Sequence, residues 1–148
     1  MFANYTKQAP QSGATRPCVL RGLRNADGSN PVVHVEFLGR DNKPYWLELL
    51  AKTQEKMRVA SSVSSPAELD RKSREERAEN RETVITHSAR KLENVFHADG
   101  APATDKDIAL FVRSIPDEDF ETLFTFASNS ANYREYVIAG DPKAIAEK

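Results

Sequence analysis

The chain has 148 residues, and its 21 Lys and Arg residues nearly balance 22 Asp and Glu residues, for a formal net charge of −1. This balance argues against a nucleic-acid-binding protein, which usually carries a basic excess or a basic face. The amino-terminal segment lacks the apolar stretch of a signal peptide, and no apolar run approaches the ~20 residues of a membrane-spanning helix. We therefore expect a soluble cytoplasmic protein that binds neither nucleic acid nor membrane.

The first predicted elements are a polar arm and a β-hairpin. Residues 1–16 are polar and are predicted to form a flexible arm. Residues 18–23 and 32–38 are β-prone and are separated by a turn-rich loop, which favours an antiparallel hairpin. Because Cys18 is the only cysteine, the chain can form neither an intramolecular disulfide nor a metal site made of several cysteines. We interpret Cys18 as a small apolar residue of a strand.

A helix is predicted after the hairpin. Pro44 suits a first helical turn, and the helix should run to about Met57. Its apolar residues are expected to cover the apolar face of the hairpin, which is too small to be stable alone. These residues are Trp46, Leu49 and Leu50. Residues 17–59 thus form a predicted hairpin-plus-helix unit, followed by a serine-rich linker at 60–65.

The second half of the chain is predicted to be a helical unit, residues 66–139, with a tail at 140–148. Ser65, Pro66 and Glu68 together form a helix-start signal. Residues 68–82 are almost wholly charged, which predicts a solvated helix or contact with a charged partner. A stripe of apolar residues then predicts that the same helix continues into a core. This stripe is Ile85, Ala89, Leu92 and Phe96.

Two further helices are predicted on either side of Pro116, because apolar residues recur at helical spacing in both segments. The first set is Ile108, Phe111, Val112 and Ile115, and the second is Phe120, Leu123, Phe124 and Ala127. The predicted fold class is therefore α+β, with an N-terminal antiparallel β-hairpin followed by a mainly helical C-terminal unit.

Candidate chemistry is sparse, and we expect no catalytic, metal-binding or cofactor-binding residues. The three histidines, His34, His87 and His97, have no second His or Cys at ligand spacing. His34 and Glu36 share one face of a strand, which more often gives a cross-strand polar contact than an acid–base couple. Consecutive acids at 117–119 are explained by the positive end of a helix. The sequence therefore favours a protein that is not an enzyme.

Protein binding is the remaining class of function. The charged helix is either a solvated face or a contact with a protein partner, and its alternating acids would repel phosphate. The candidate protein-binding residues are Arg71, Arg74, Arg77, Arg81, His34 and Glu36.

The order of several segments resembles that of small tail assembly chaperones of long-tailed bacteriophages. It includes the segments at 39–45 (GRDNKPY), 99–102 (DGAP), 108–120 (IALFVRSIPDEDF) and 126–133 (FASNSANY), and the likeness is best over 84–133. The resemblance implies a non-enzymatic role in the host cytoplasm: binding the tape-measure protein until the tail tube polymerises around it.

Two alternatives remain open at this stage. One is a structural virion component, such as a tail, neck or baseplate adaptor, whose arm and hairpin edge would pair with neighbouring subunits. The other is a host-directed regulator or inhibitor that binds through the charged helix. Formation of a homo-oligomer is also left open.

Overall fold

A computed structural model describes residues 5–7, 14–59, 65–133 and 136–138 of the chain. Most of the predicted arm, residues 60–64 of the predicted linker and the predicted tail lie outside these residues. The strands and α-helices of the described part, in chain order, are β1 (Tyr5–Lys7), β2 (Thr15–Val19), β3 (Val32–Glu36), α1 (Lys43–Val59), α2 (Pro66–His87), β4 (Ala89–Glu93), α3 (Ile108–Ser114), α4 (Asp117–Ser128) and β5 (Tyr136–Ile138). Short 3-10 helices precede α3 (Asp105–Asp107) and follow α4 (Ser130–Tyr133).

The central sheet has three antiparallel strands in the order β2-β3-β4. β2 and β3 form the predicted hairpin, with Cys18 opposite Val33, and the α+β fold class is confirmed. β2 begins at Thr15, within the segment that was predicted to be an arm. β1 pairs antiparallel with β5 in a separate two-stranded sheet, which joins segments from the two ends of the chain.

The third strand corrects the prediction of one long helix through Phe96. Ser65 caps α2 by accepting a hydrogen bond from the backbone N–H of Glu68, as predicted, but the helix ends at His87. The next residue, Ser88, is fully buried, and its hydroxyl donates to the carbonyl oxygen of Glu36 at 2.7 Å. The chain therefore leaves the helix at Ser88 and continues as β4 beside β3.

A β-bulge explains why β4 has the sequence pattern of a helix. Leu92 lies opposite Val33 and Ala89 lies opposite Val35, so Arg90 is an extra residue in β4. The bulge turns both Ala89 and Leu92 toward the core, although residues three apart lie on opposite faces of a regular strand. Phe96, predicted to be buried with them, is 45% exposed.

The core lies between the sheet and the helices α3 and α4. The predicted apolar faces of these two segments are confirmed: six of their residues are buried, Ile115 among them directly after the end of α3, and Phe111 and Phe124 pack against the buried cluster. The six are Ile108, Val112, Ile115, Phe120, Leu123 and Ala127. Each large side chain of this kind contributes about 1.5–3 kcal/mol by leaving water. The same cluster includes strand residues, so it draws on both predicted units.

The prediction that α1 covers the hairpin is wrong. Trp46, Leu49 and Leu50 are not buried, and Tyr45 is the residue of α1 that packs against the core among those described. The apolar face of the sheet is instead covered by α3 and α4, which leaves α1 beside α2 at the edge of the fold.

Candidate protein-binding surface

α1 and α2 form a helical hairpin that extends from the core. Glu48, in the second turn of α1, contacts the imidazole of His87, the last residue of α2, so the two helices run in opposite directions. Every residue from 66 to 79 in α2 is exposed. The first half of α2 therefore lies in solvent with part of α1 beside it.

The second half of α2 is held firmly on the core. Val84 is fully buried, and Glu82 accepts two hydrogen bonds from Arg113 of α3, at 2.6 and 2.9 Å. The Arg113 hydrogen bonds hold the pKa of the Glu82 carboxyl below its usual range, and Glu82 in turn raises the pKa of Arg113. The helical hairpin thus has a base that packs on the core and an exposed end.

The residues at the base of α1 attach it to the rest of the molecule. The side-chain amide of Asn42, just before α1, donates to the carbonyl oxygens of Phe37 at 3.0 Å and His87 at 2.9 Å. The hydrogen bond with His87, followed by that with Lys52, lowers the pKa of Glu48. These polar contacts hold the first turns of α1, whereas none of its described side chains is buried.

Large apolar side chains lie on the exposed side of α1. Leu47 is 64% exposed, Leu50 49% and Met57 76%, and Trp46 beside them is partly exposed. At 100° per residue these four side chains share one helical face, and the residues toward α2, such as Leu49 and Lys56, lie on the other. We call the set of Trp46, Leu47, Leu50 and Met57 the α1 apolar face.

A cleft of about 230 Å³ separates α1 from α2. Lys52 and Lys56 of α1 line it together with Glu76 and Glu79 of α2, so its walls carry opposite charges. Tyr45 closes the end near the core, and burial raises the pKa of its hydroxyl. The arrangement favours attraction between the two helices, while the α1 apolar face points away from the cleft.

The four candidate arginines of α2 have different surroundings. Arg71 is exposed, Arg74 forms an ion pair with Asp70 one turn earlier, and Arg77 lies 3.5 Å from Asp117 of α4. Arg81 is mostly buried and donates to the carbonyl oxygens of two α3-end residues and to Asp117. The first three remain available to a partner, and Arg81 is occupied within the fold.

The other two candidates lie on the outer face of the sheet. His34 Nε2 is 3.2 Å from Glu93, and Glu36 accepts from Arg90 at 3.4 Å. These are cross-strand contacts with β4, as expected for polar residues that share a strand face. Within the described part of the chain, no hydrogen bond or ion pair joins them to the arginines of α2.

The remaining histidines also contact carboxylates. His97 Nε2 lies 3.0 Å from Asp107, which accepts a 2.8 Å hydrogen bond from the backbone of Thr104. These contacts of Asp107 hold the short segment that directly precedes α3. Residues 14–57 and 65–133 contain no group of three or more His, Cys, Asp or Glu side chains placed to hold a metal ion.

None of the helices that the structure describes is long and apolar enough to cross a membrane. No protein family, curated protein or solved structure matches the chain.

Sequence reasoning missed the α1 apolar face. Leu47, Leu50, Gln54 and Met57 are spaced by three, four and three residues, which is the spacing of a helix–helix seam. Gln54 interrupts the apolar pattern, and the neighbouring Trp46 and Leu49 suggested packing on the hairpin instead. The signal was present in the sequence, but it became a surface only once other helices were seen to cover the sheet.

Proposed function

We propose that this protein is a non-enzymatic tail assembly chaperone of a long-tailed bacteriophage, and that it binds the tape-measure protein during tail morphogenesis. The observation that carries the proposal is the α1 apolar face, which the rest of the described residues leave exposed at the edge of the fold. A helix that exposes several large apolar side chains on one face is typical of surfaces that bind other helices. The order of segments that resembles tail assembly chaperones names the partner.

The geometry suits the task of keeping a long helical protein soluble. Apolar stripes on such a partner would pack against the α1 apolar face, and the charged first half of α2 would remain in water beside them. The surface on α1 is short, so its contact with any one helix is weak enough to be released. A chaperone must release its client when the tail tube polymerises.

The edges of the sheet favour this proposal over a virion subunit joined by strand pairing. β2 carries Pro17 in its middle, and proline cannot donate a backbone hydrogen bond to an added strand. β4, the other edge, contains Arg90, Lys91 and Glu93 as well as the bulge. Both features are common protections against edge-to-edge pairing.

Co-expression with the tape-measure protein tests the proposal. The tape-measure gene is expected to be a long reading frame near the gene of this protein, and its product should be insoluble alone and soluble in a complex that co-purifies. A tape-measure protein that is equally soluble without this chain, and no complex, would contradict the proposal. Finished virions should lack the chain, whereas a stoichiometric amount in virions would favour the structural alternative.

A further inference from the structure

We propose that the α1 apolar face binds an amphipathic helix of a partner protein whose apolar stripe is flanked by acidic residues. The inference rests on the proposed function, because it names the surface and the chemistry by which a client helix would be recognised. It depends on three properties of α1: the spacing of its apolar residues, the charges at its ends and the small size of the face.

The spacing of the apolar residues fits packing against a single helix. Leu47, Leu50 and Met57, with Gln54 between them, occupy the positions of a coiled-coil seam over ~15 Å of helix. Trp46 lies beside Leu47 and widens the seam at its first turn. A partner helix laid along this seam at a small crossing angle would cover all four apolar side chains.

The charges around the first turn of α1 select an acidic partner. Lys43 is exposed, and the guanidinium carbon of Arg40 lies 5.5 Å from the centre of the Trp46 ring. Among the described residues, neither cation has a carboxylate partner, and α1 has no acid in its first turn. The positive end of the helix adds to the same field. Carboxylates beside the stripe of the partner would therefore meet a net positive charge at this end of the helix.

Two acids lie near this end of α1. Asp41 stands between Arg40 and Lys43 in the sequence and is exposed, so one negative charge offsets part of the two positive charges and leaves a net charge of +1 over residues 40–43. Glu48 lies toward α2, where it contacts His87 and forms an ion pair with Lys52 at 2.9 Å. Its charge is thus compensated on the side away from the α1 apolar face.

A second copy of this chain fits the surface poorly. Toward its other end α1 carries Lys52 and Lys56 against Glu55, so both ends of the described helix have a net positive charge. Two copies packed in parallel would bring Lys43 against Lys43, and antiparallel copies would bring Lys43 against this other positive end. About three turns of helix per copy also bury much less than the ~1,200 Å² of a stable interface. A separate acidic helix avoids the repulsion between like charges, and the small area makes its binding weak, as release of a client requires.

Titration with designed helical peptides tests the inference on the full chain. Trp46 is the only tryptophan, so its fluorescence reports directly on the α1 apolar face. The probes are tryptophan-free peptides about three heptads long with Leu in the seam, flanked by Glu in one and by Lys in the other. We expect a saturable blue shift of the Trp46 emission with the Glu peptide and at least about tenfold weaker binding of the Lys peptide.

Matched variants locate the binding surface. The double change Leu47→Ser and Leu50→Ser should weaken binding of the Glu peptide by at least about tenfold, since it removes two apolar contacts. Leu110→Ser, at a leucine of α3 that is 66% exposed, should leave binding unchanged. Lys43→Glu should weaken binding of the Glu peptide but not that of a Gln-flanked peptide. Circular dichroism should show that all variants remain folded, with only the small decrease in stability that the lower helix propensity of Ser causes at these exposed sites.

Three results would overturn the inference: equal affinity for the Glu and Lys peptides, binding of the Glu peptide that survives the double change, or a dimer of the free chain that the double change dissociates. The proposed function is tested separately, by co-expression with the tape-measure protein. If the complex with the tape-measure protein forms and survives the double change, the function stands and the inference fails. If the acidic peptide binds as expected and no tape-measure complex forms, the surface stands and the function fails.

Discussion

The guanidinium of Arg81 donates a 2.6 Å hydrogen bond to the carbonyl oxygen of Val112. The same group also donates to the carbonyl oxygen of Ile115 at 2.8 Å and lies 4.9 Å from the centre of the Phe120 ring. The last carbonyl groups of a helix have no partner within it, so Arg81 satisfies the end of α3 from α2. An arginine that sequence analysis grouped with a binding surface is therefore part of the packing between three helices.

Arg81→Ala should destabilise the protein by about 2–4 kcal/mol, because it leaves helix-end carbonyl groups unsatisfied and exposes the Phe120 ring. Arg71→Ala, on the same helix but fully in solvent, should change the free energy of unfolding by no more than about 0.5 kcal/mol. Urea denaturation of the two variants measures both values. Equal stability of the two variants would mean that Arg81 has no structural role.

Apolar periodicity in the sequence predicts α3 and α4 well, because both helices bury one regular face against the sheet. The same periodicity fails at β4. The extra residue Arg90 lets Ala89 and Leu92 face the core together, and a strand with this bulge has apolar residues three apart, as a helix does. A pattern in one strand cannot reveal the bulge, since the bulge is defined by pairing with β3.

The candidate surface is less predictable than the fold. Arg71 and Arg81 have the same chemistry and lie on one charged helix, yet one is in solvent and the other is occupied by α3. Which of them is free depends on where α3 packs, and that contact joins residues about thirty positions apart in the sequence. The position of α1 likewise depends on which helices pack against the apolar face of the sheet, and the sequence of α1 alone does not reveal this.

Glu48→Gln should loosen α1 from α2 without unfolding the core. The carboxylate of Glu48 contacts His87 and Lys52, and these contacts lower its pKa. Hydrogen exchange of the α1 amides should therefore rise several-fold, while exchange in β3 should stay unchanged. The exposed Glu75 of α2 provides a matched control, because Glu75→Gln removes a carboxylate that is remote from His87.

The contacts of Glu48 with His87 and Lys52 also predict that the attachment of α1 to α2 depends on pH. A carboxyl group whose pKa is lowered in the folded state stabilises that state above its ordinary pKa, here 4.5, and the stabilisation is lost as the pH falls below it. In the wild type, protection of the α1 amides from hydrogen exchange, corrected for intrinsic exchange rates, should thus decrease below about pH 4.5. In Glu48→Gln, the protection of these amides should not decrease in this pH range. The same decrease in both proteins would contradict the role of Glu48.

Reversing the charges of Arg71, Arg74 and Arg77 to Glu should leave the protein folded. All three side chains are exposed, and their contacts are an ion pair within α2 and a 3.5 Å contact with Asp117. New like-charge neighbours on the helix cost about 0.2–0.5 kcal/mol each, so the total should stay below about 2 kcal/mol.

The triple variant also separates the alternatives for function. Because the core is retained, any loss of binding to a host protein would come from the charged face itself, as the regulator hypothesis requires. Our proposal expects the acidic peptide to bind the variant as well as it binds the wild type, since these arginines are not part of the α1 apolar face. Pull-down of host proteins and peptide titration, with thermal unfolding as the folding control, give the two readouts.

Alkaline pH should destabilise the protein through two buried groups. Burial raises the pKa of the Cys18 thiol from 9.0 to about 11, and burial also raises the pKa of the Tyr133 hydroxyl, which donates to the carbonyl oxygen of Val35 at 3.0 Å. The unfolded chain releases these protons at lower pH than the folded protein does. The free energy of unfolding should therefore fall from about pH 9 upward, by up to about 1.4 kcal/mol per pH unit for each proton.

Two variants assign the alkaline loss of stability to these groups. Cys18→Ala should remove the decrease that begins near pH 9, and Tyr133→Phe should remove the part that develops above the ordinary tyrosine pKa of 10.0. Both variants should be less stable near neutral pH, by about 1–2 kcal/mol, because one leaves a small cavity and the other leaves the Val35 carbonyl group without its donor. Urea denaturation across this pH range measures the slopes. Slopes that match the wild type in both variants would show that other groups release the protons.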